Sequence, residues 1–254
     1  MYRRHFLFFG GLSVILAIPG AALTGYSVFA LFGGLINSLG SDQPFDIASI
    51  GPSLVIIGFA VLVNLLLLPF TQGAVVYAAC ESALGRPITV LGVLGGVART
   101  YLPTFGYLFL VWLMYFLFCL LPLWIWIWVG WVAVLPIMYI EKTGLVPAMG
   151  RSWRLVEGRW WRTFLIFLLM VVLWYLVRLA LSGVTYVASQ LLLIVFGNFL
   201  VTAVISAVSE VLYALASPIL QIGIVLIYFD LRVRREGLDL FQLAQRLTAT
   251  QLPA

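Results

Sequence analysis

Charge is the scarcest feature of this sequence. Asp, Glu, Lys and Arg make up 9% of its 254 residues, against about 25% in an ordinary soluble domain. A water-facing surface of normal size is therefore excluded. Histidine is nearly absent: His5 stands alone, which rules out Ser-His-Asp and Cys-His catalysis and leaves no axial ligand within an apolar stretch for a tetrapyrrole. Beside Arg3-Arg4, His5 reads as an interface residue. The two cysteines, Cys80 and Cys119, fall at opposite ends of apolar stretches. A bilayer core about 30 Å thick would separate them, so no bridge within one chain is expected. The glycine run Gly92-Val93-Leu94-Gly95-Gly96 lacks the Lys-Ser/Thr of a phosphate loop. No catalytic residue, metal site or cofactor is expected.

What is abundant is apolar: 64% of the residues are hydrophobic. The long stretches are continuously apolar and not alternating, which disfavours a β-barrel and predicts an all-α membrane helix bundle. Thirteen of the fourteen Lys and Arg residues fall in four clusters, at residues 3–4, 86–99, 142–162 and 232–246. Cytoplasmic loops collect such residues, so all four clusters are expected on the cytoplasmic side, in contact with anionic lipid headgroups. The net charge of +5 is explained by that placement without nucleic acid.

An even number of crossings must then separate successive clusters. A span needs about 20 apolar residues, and six are predicted, at residues 6–36, 53–79, 102–120, 123–140, 160–182 and 206–229. The apolar run after Arg4 is too long for a signal peptide and reads as a first membrane helix. Both termini are cytoplasmic in this plan, residues 1–254 form one integral membrane domain, and a bacterial cytoplasmic membrane is the expected location. The uncharged run 102–140 is predicted to be a hairpin that turns at Leu121-Pro122-Leu123. Trp124, Trp126, Trp128 and Trp131 gather there and are expected at the outer interface. Residues 183–205 are apolar enough to cross, but a seventh crossing would put the arginines after Asp230 outside. They are read as an outer-leaflet helix plus the start of a long last span.

A weak repeat at an offset of 60 residues matches Glu81, Pro87 and Arg99 to Glu141, Pro147 and Arg159. Each proline is expected to open a short interfacial helix, at residues 87–99 and 145–157. In the second, Leu145, Met149, Trp153 and Val156 form the apolar stripe. A third such helix is predicted at 238–248.

Two stretches carry a resemblance: Ala148-Met149-Gly150-Arg151-Ser152-Trp153-Arg154-Leu155-Val156-Glu157-Gly158-Arg159-Trp160-Trp161-Arg162, and Tyr228-Phe229-Asp230-Leu231-Arg232-Val233-Arg234-Arg235-Glu236-Gly237-Leu238-Asp239. With the six-span plan they resemble the membrane domain of some glycerophosphoryl diester phosphodiesterases and related stand-alone bacterial membrane proteins. That family's hydrolase chemistry belongs to a separate soluble domain, absent here, so the resemblance implies no catalytic residue.

Arg178 and Glu210 are the only full charges well inside apolar spans. At 1.5 Å per residue they lie roughly 24 Å from Arg162 and roughly 30 Å from Asp230, at similar depth near the outer side. They are expected to clamp two helices or to snorkel; a polar site for a substrate or ion is the alternative. Asn64, Gln72 and Gln221 read as interhelical glue, or else as the lining of a path. Ala17/Ala21, Ala74/Ala78 and Ala203/Ala207 fit close helix approach. Arg151, Arg154, Arg159, Arg162, Arg232, Arg234 and Arg235 are candidate contacts for lipid headgroups or a partner. The pattern predicts a non-catalytic accessory or scaffolding subunit that engages lipids and another membrane protein, its oligomeric state open. The alternative is a transporter or lipid-handling protein. A cavity reaching the midplane, lined by Asn64 or Gln221, would favour the alternative.

Overall fold

The computed structural model describes residues 6–39, 51–116 and 121–236. The helices are α1 (Phe6–Leu39), α2 (Gly51–Ala83), α3 (Val90–Arg99), α4 (Tyr101–Phe116), α5 (Leu121–Gly130), α6 (Val134–Ile140), α7 (Leu145–Val156), α8 (Trp160–Phe196) and α9 (Phe199–Glu236). There is no strand among the described residues. The chain is an all-α, membrane-embedded protein. In lipid a helix satisfies its backbone polar groups internally, which is why continuous apolar sequence settles into this form. Among the described residues five segments are long and apolar enough to cross a bilayer, α5 and α6 together counting as one of them.

Glycines set several of the ends. Gly85, Gly158 and Gly197 adopt positive φ, at 73°, 80° and 60°, the left-handed conformation that stops a helix at little steric cost. Gly197 and Asn198 alone link α8 to α9, and the Asn198 side chain accepts the Leu200 N–H at 2.9 Å. Residues 183–205 thus form no separate outer-leaflet helix. Residues 183–196 continue α8, and the rest, from Phe199, begins the long last helix. Gly183 alone does not break the helix, because in lipid its backbone groups would have no partner outside the helix. At 37 and 38 residues, these two helices are about 55 Å long.

The α8–α9 hairpin is antiparallel: Met170 packs against Gly223, and Arg162 faces Asp230. Another antiparallel pair is α1–α2, where Ser53 donates to the Ala30 carbonyl at 2.8 Å and Asn64 fills the space beside Gly20. α1 lies along α9 and meets it closely at Gly25, where an added Cβ would lie 2.9 Å from the Ala203 oxygen. With no hydrophobic drive between helices in lipid, such small-residue contacts supply the packing.

The core lies toward the Arg-bearing end. Ala74–Cys80 of α2 pack with Val134–Tyr139 of α6, with Ala148, Leu155 and Val156 of α7, and with Val225 and Tyr228 of α9. Three glycines admit aromatic rings there: Gly73 under Tyr139, Gly96 under Tyr77 and Gly130 under Trp153. The Tyr77 and Tyr139 rings meet edge to face at 5.4 Å.

The run 102–140 departs from expectation in two respects. Leu121–Leu123 open α5 rather than forming a turn, because a proline is well suited to a first helical turn. The link 117–120 lies outside the described residues. The tryptophans also lie elsewhere. Trp126 packs edge-on against Trp153 of α7 at 4.5 Å, and its carbonyl accepts the Trp160 indole N–H at 3.3 Å. This cluster therefore sits beside the start of α8, at the Arg-bearing end and not opposite it. Indoles favour either interface, so their abundance alone did not choose a side.

Two of the predicted short helices are present as α3 and α7; residues 238–248 lie outside the described residues. Pro147 sits in the first turn of α7, but Pro87 precedes α3, whose cap is Thr89: its hydroxyl accepts the Gly92 N–H at 3.2 Å. The inward face of α7 is centred on Ala148, Ser152 and Leu155, with Leu145, Met149 and Trp153 alongside. The expected stripe is rotated because Ser152, though polar, is fully buried. Its hydroxyl donates to the Gly130 carbonyl at 2.7 Å and accepts the Ala133 N–H at 3.2 Å. Both are backbone groups left open where the chain kinks between α5 and α6.

Candidate functional site

A cavity of about 660 Å³ opens among α1, α2, α8 and α9, with Trp112 of α4 at its edge. Arg178 and Glu210 both line it, as do Asn64 and Gln72. Arg178 lies at the midpoint of α8, 18 residues from either end. It thus stands midway along the helix pair, exposed at the cavity and not buried, because α8 is longer than the predicted span.

No ion pair joins Arg178 to Glu210 among the described residues. The Arg178 guanidinium instead stands over two rings, Trp174 at 5.4 Å and Tyr213 at 5.2 Å. Ring faces are negative, so each such contact stabilises the cation by about 0.5–2 kcal/mol. Both rings also line the cavity. Sequence reasoning passed over them, although helical spacing marks them: Trp174 is four residues before Arg178, and Tyr213 three after Glu210.

The amides divide their work. The Asn64 NH₂ donates to the Ala60 carbonyl at 2.9 Å within its own helix. Gln221 donates to the Gln72 oxygen, joining α9 to α2. The remaining Gln221 oxygen is buried without a protein partner, as is the Ser13 hydroxyl, which lines the cavity. Buried polar groups are nearly always hydrogen-bonded, so an orphaned hydroxyl on the wall gives the cavity polar as well as apolar capacity.

At the Arg-bearing end, the clusters at 142–162 and 232–235 meet in space. Arg151 bridges Glu141 at 3.3 Å and Glu236. Arg232 contacts Glu236 at 2.9 Å and the Tyr228 hydroxyl at 3.1 Å, and that hydroxyl donates to Glu141 at 3.1 Å. Arg235 reaches the Glu157 carbonyl and carboxylate at 2.5 and 3.6 Å. Burial pushes the Glu236 carboxyl upward, but the hydrogen bonds from Arg232 and Arg151 outweigh it and hold the group below its ordinary value. Arg162 and Arg234 pair with Asp230, and Arg159 donates to the Arg234 carbonyl, so six of the seven candidate headgroup arginines are engaged within the protein. Arg154 is exposed on α7. Arg159, Arg162 and Arg234 border a smaller cavity between α8 and α9.

Comparison with protein-family models, curated proteins and solved structures found no match.

Proposed function

We propose that this is a non-catalytic membrane protein that binds an amphiphile carrying an anionic group, held in the cavity around Arg178. The observation that carries the reading is the guanidinium itself, midway along α8, flanked by aromatic faces and, among the described residues, without a carboxylate within 4 Å. A charged side chain at the bilayer centre costs about 3 kcal/mol on insertion scales. An incoming anion would offset that cost, and Trp174 and Tyr213 would hold the side chain toward it. The volume suits a small molecule, since such sites run from about 300 to 1,000 Å³. Asn64, Gln72 and Ser13 supply hydrogen-bonding groups on a largely apolar wall. A cavity lined by Asn64 and Gln72 supports lipid handling over a sealed scaffold.

In this reading the Arg-bearing end faces the cytoplasm and α1, α2, α8 and α9 cross the bilayer. α4 with α5 and α6 forms a hairpin that enters and leaves on the cytoplasmic side. Both termini are then cytoplasmic, in a bacterial inner membrane.

Native mass spectrometry of protein taken from its own membranes in mild detergent tests the proposal. The expected result is that Arg178→Gln and the cavity-filling Ala17→Phe each carry one amphiphile fewer per chain than wild type. Equal loading of wild type and Arg178→Gln refutes it.

A second reading rests on α8. Among its residues only Thr163, Phe167 and Ser189 are buried, while Leu165, Leu169, Leu173 and Leu176 form an exposed apolar stripe. A transmembrane helix of another protein would fit there, making the chain an accessory subunit. Crosslinking from Leu169 in native membranes that captures only lipid argues against it.

A further inference from the structure

We infer that the cavity between α8 and α9 at the Arg-bearing end is a binding site for one anionic phospholipid, independent of the site at Arg178. This cavity measures about 290 Å³. Its mouth carries Arg159, Arg162 and Arg234 against Asp230, a local excess of two positive charges. Its floor is apolar, built from Ile166, Met170, Leu226 and Ile227.

The ion pairs at the mouth are incomplete. Asp230 is shared, 2.7 Å from the Arg234 Nε and 3.5 Å from an Arg162 nitrogen. Arg159 makes one long hydrogen bond, 3.4 Å to the Arg234 carbonyl. One carboxylate thus orients two guanidiniums and neutralises only one, and Arg159 retains free donors. By contrast, Arg151, Arg232 and Arg235 have three glutamates among them, Glu141, Glu236 and Glu157. A phosphate diester presents oxygens that two guanidiniums can share.

Two features select a lipid over a free phosphate. The floor runs about 12 Å up the hairpin from Arg162 to Met170, and it is continuous with the lipid-facing flank of α8 and α9, where Leu226 is 56% exposed. Trp160 and Trp161 lie at the same level of α8, lining a separate pocket with Leu123 and Trp126, and indoles settle at headgroup depth. A headgroup at the arginines would therefore lay one acyl chain along the groove. Basic pockets between helices at a cytoplasmic interface bind anionic lipids in this manner.

The test uses full-length protein in the Arg178→Gln background, which removes the first site, with binding of dioctanoyl phosphatidylglycerol, dioctanoyl phosphatidylcholine and inorganic phosphate measured separately. Saturable binding of one phosphatidylglycerol per chain is expected, with phosphatidylcholine and phosphate far weaker. Arg159→Gln with Arg162→Gln should weaken that binding about 30-fold. If the double variant does not fold, the single Arg159→Gln serves, since its loss breaks only one long bond. Leu226→Trp, at an outward-facing position, should block the chain groove and abolish lipid binding. Equal binding of inorganic phosphate, or no effect of Leu226→Trp, overturns the lipid assignment. An equal loss on Arg154→Gln would show diffuse surface charge and overturn the site.

Discussion

Replacing Ser152 with alanine removes one oxygen and strands two backbone groups. In an unbroken helix the Val134 N–H would bond the Gly130 carbonyl; here it bonds Trp131 at 3.2 Å instead. Gly130 O and Ala133 N therefore depend on the Ser152 hydroxyl, which is wholly buried. A buried backbone group left without a partner costs about 1–3 kcal/mol. Two of them, partly relieved by local shifts, give an expected loss of about 2–4 kcal/mol. Reversible unfolding in mixed SDS micelles measures it, with Ser182→Ala as the control. That hydroxyl is exposed and bonds only the Leu179 carbonyl of its own helix. Ser152→Cys, which keeps a weak donor and acceptor, should fall between wild type and alanine. If Ser152→Ala lies within about 0.5 kcal/mol of Ser182→Ala, the ordinary scatter of surface substitutions, the kink is not held by this side chain.

Gly96→Ala forces a methyl against the Tyr77 ring and should cost about 1–3 kcal/mol in the same assay, as overpacking does. Glu236 gives a pH signature. Its folded value is depressed from 4.5, so its contribution is complete above that pH and fades as pH falls through the lower folded value. The acid-side loss of stability should be shallower in Glu236→Gln, and an unchanged profile argues against the Arg151–Glu236–Arg232 cluster. Single cysteines at Arg86 and Arg154, with Cys80 and Cys119 replaced, should label from one side of sealed vesicles and Asn198→Cys from the other. Labelling of Arg86 and Arg154 from different sides would overturn the topology.

Much of the architecture was legible because lipid leaves few choices. Continuous apolar runs announced the long helices, and clustered arginines announced a shared end, where Arg151 and Arg235 now meet Glu236 and Glu157. The predicted boundary at Ser182 failed because a bilayer-length rule was applied to a helix that contains no stop before Gly197. The tryptophans were misplaced because interfacial preference is the same at both faces. Ser152 was invisible to an apolar-stripe reading, since its value lies in a backbone break that hydropathy does not register. Arg178 and Glu210 were identified from charge alone, but the ring partners of Arg178 depend on which faces of α8 and α9 meet.

The length of the α8–α9 hairpin bears on the membrane itself. From Thr163 to Phe196 the only charge is Arg178, giving an uninterrupted greasy surface near 50 Å. Even tilted by about 40°, the steep end of the observed range, such a rod spans close to 39 Å, against a hydrocarbon layer of about 30 Å. The neighbouring acyl chains must stretch, or the hairpin tip must stand out of the bilayer, at a fraction of a kcal/mol for each ångström of mismatch. Thicker membranes are therefore its favoured surroundings, and a thinning of the bilayer would be felt first as load on the Gly197–Asn198 bend.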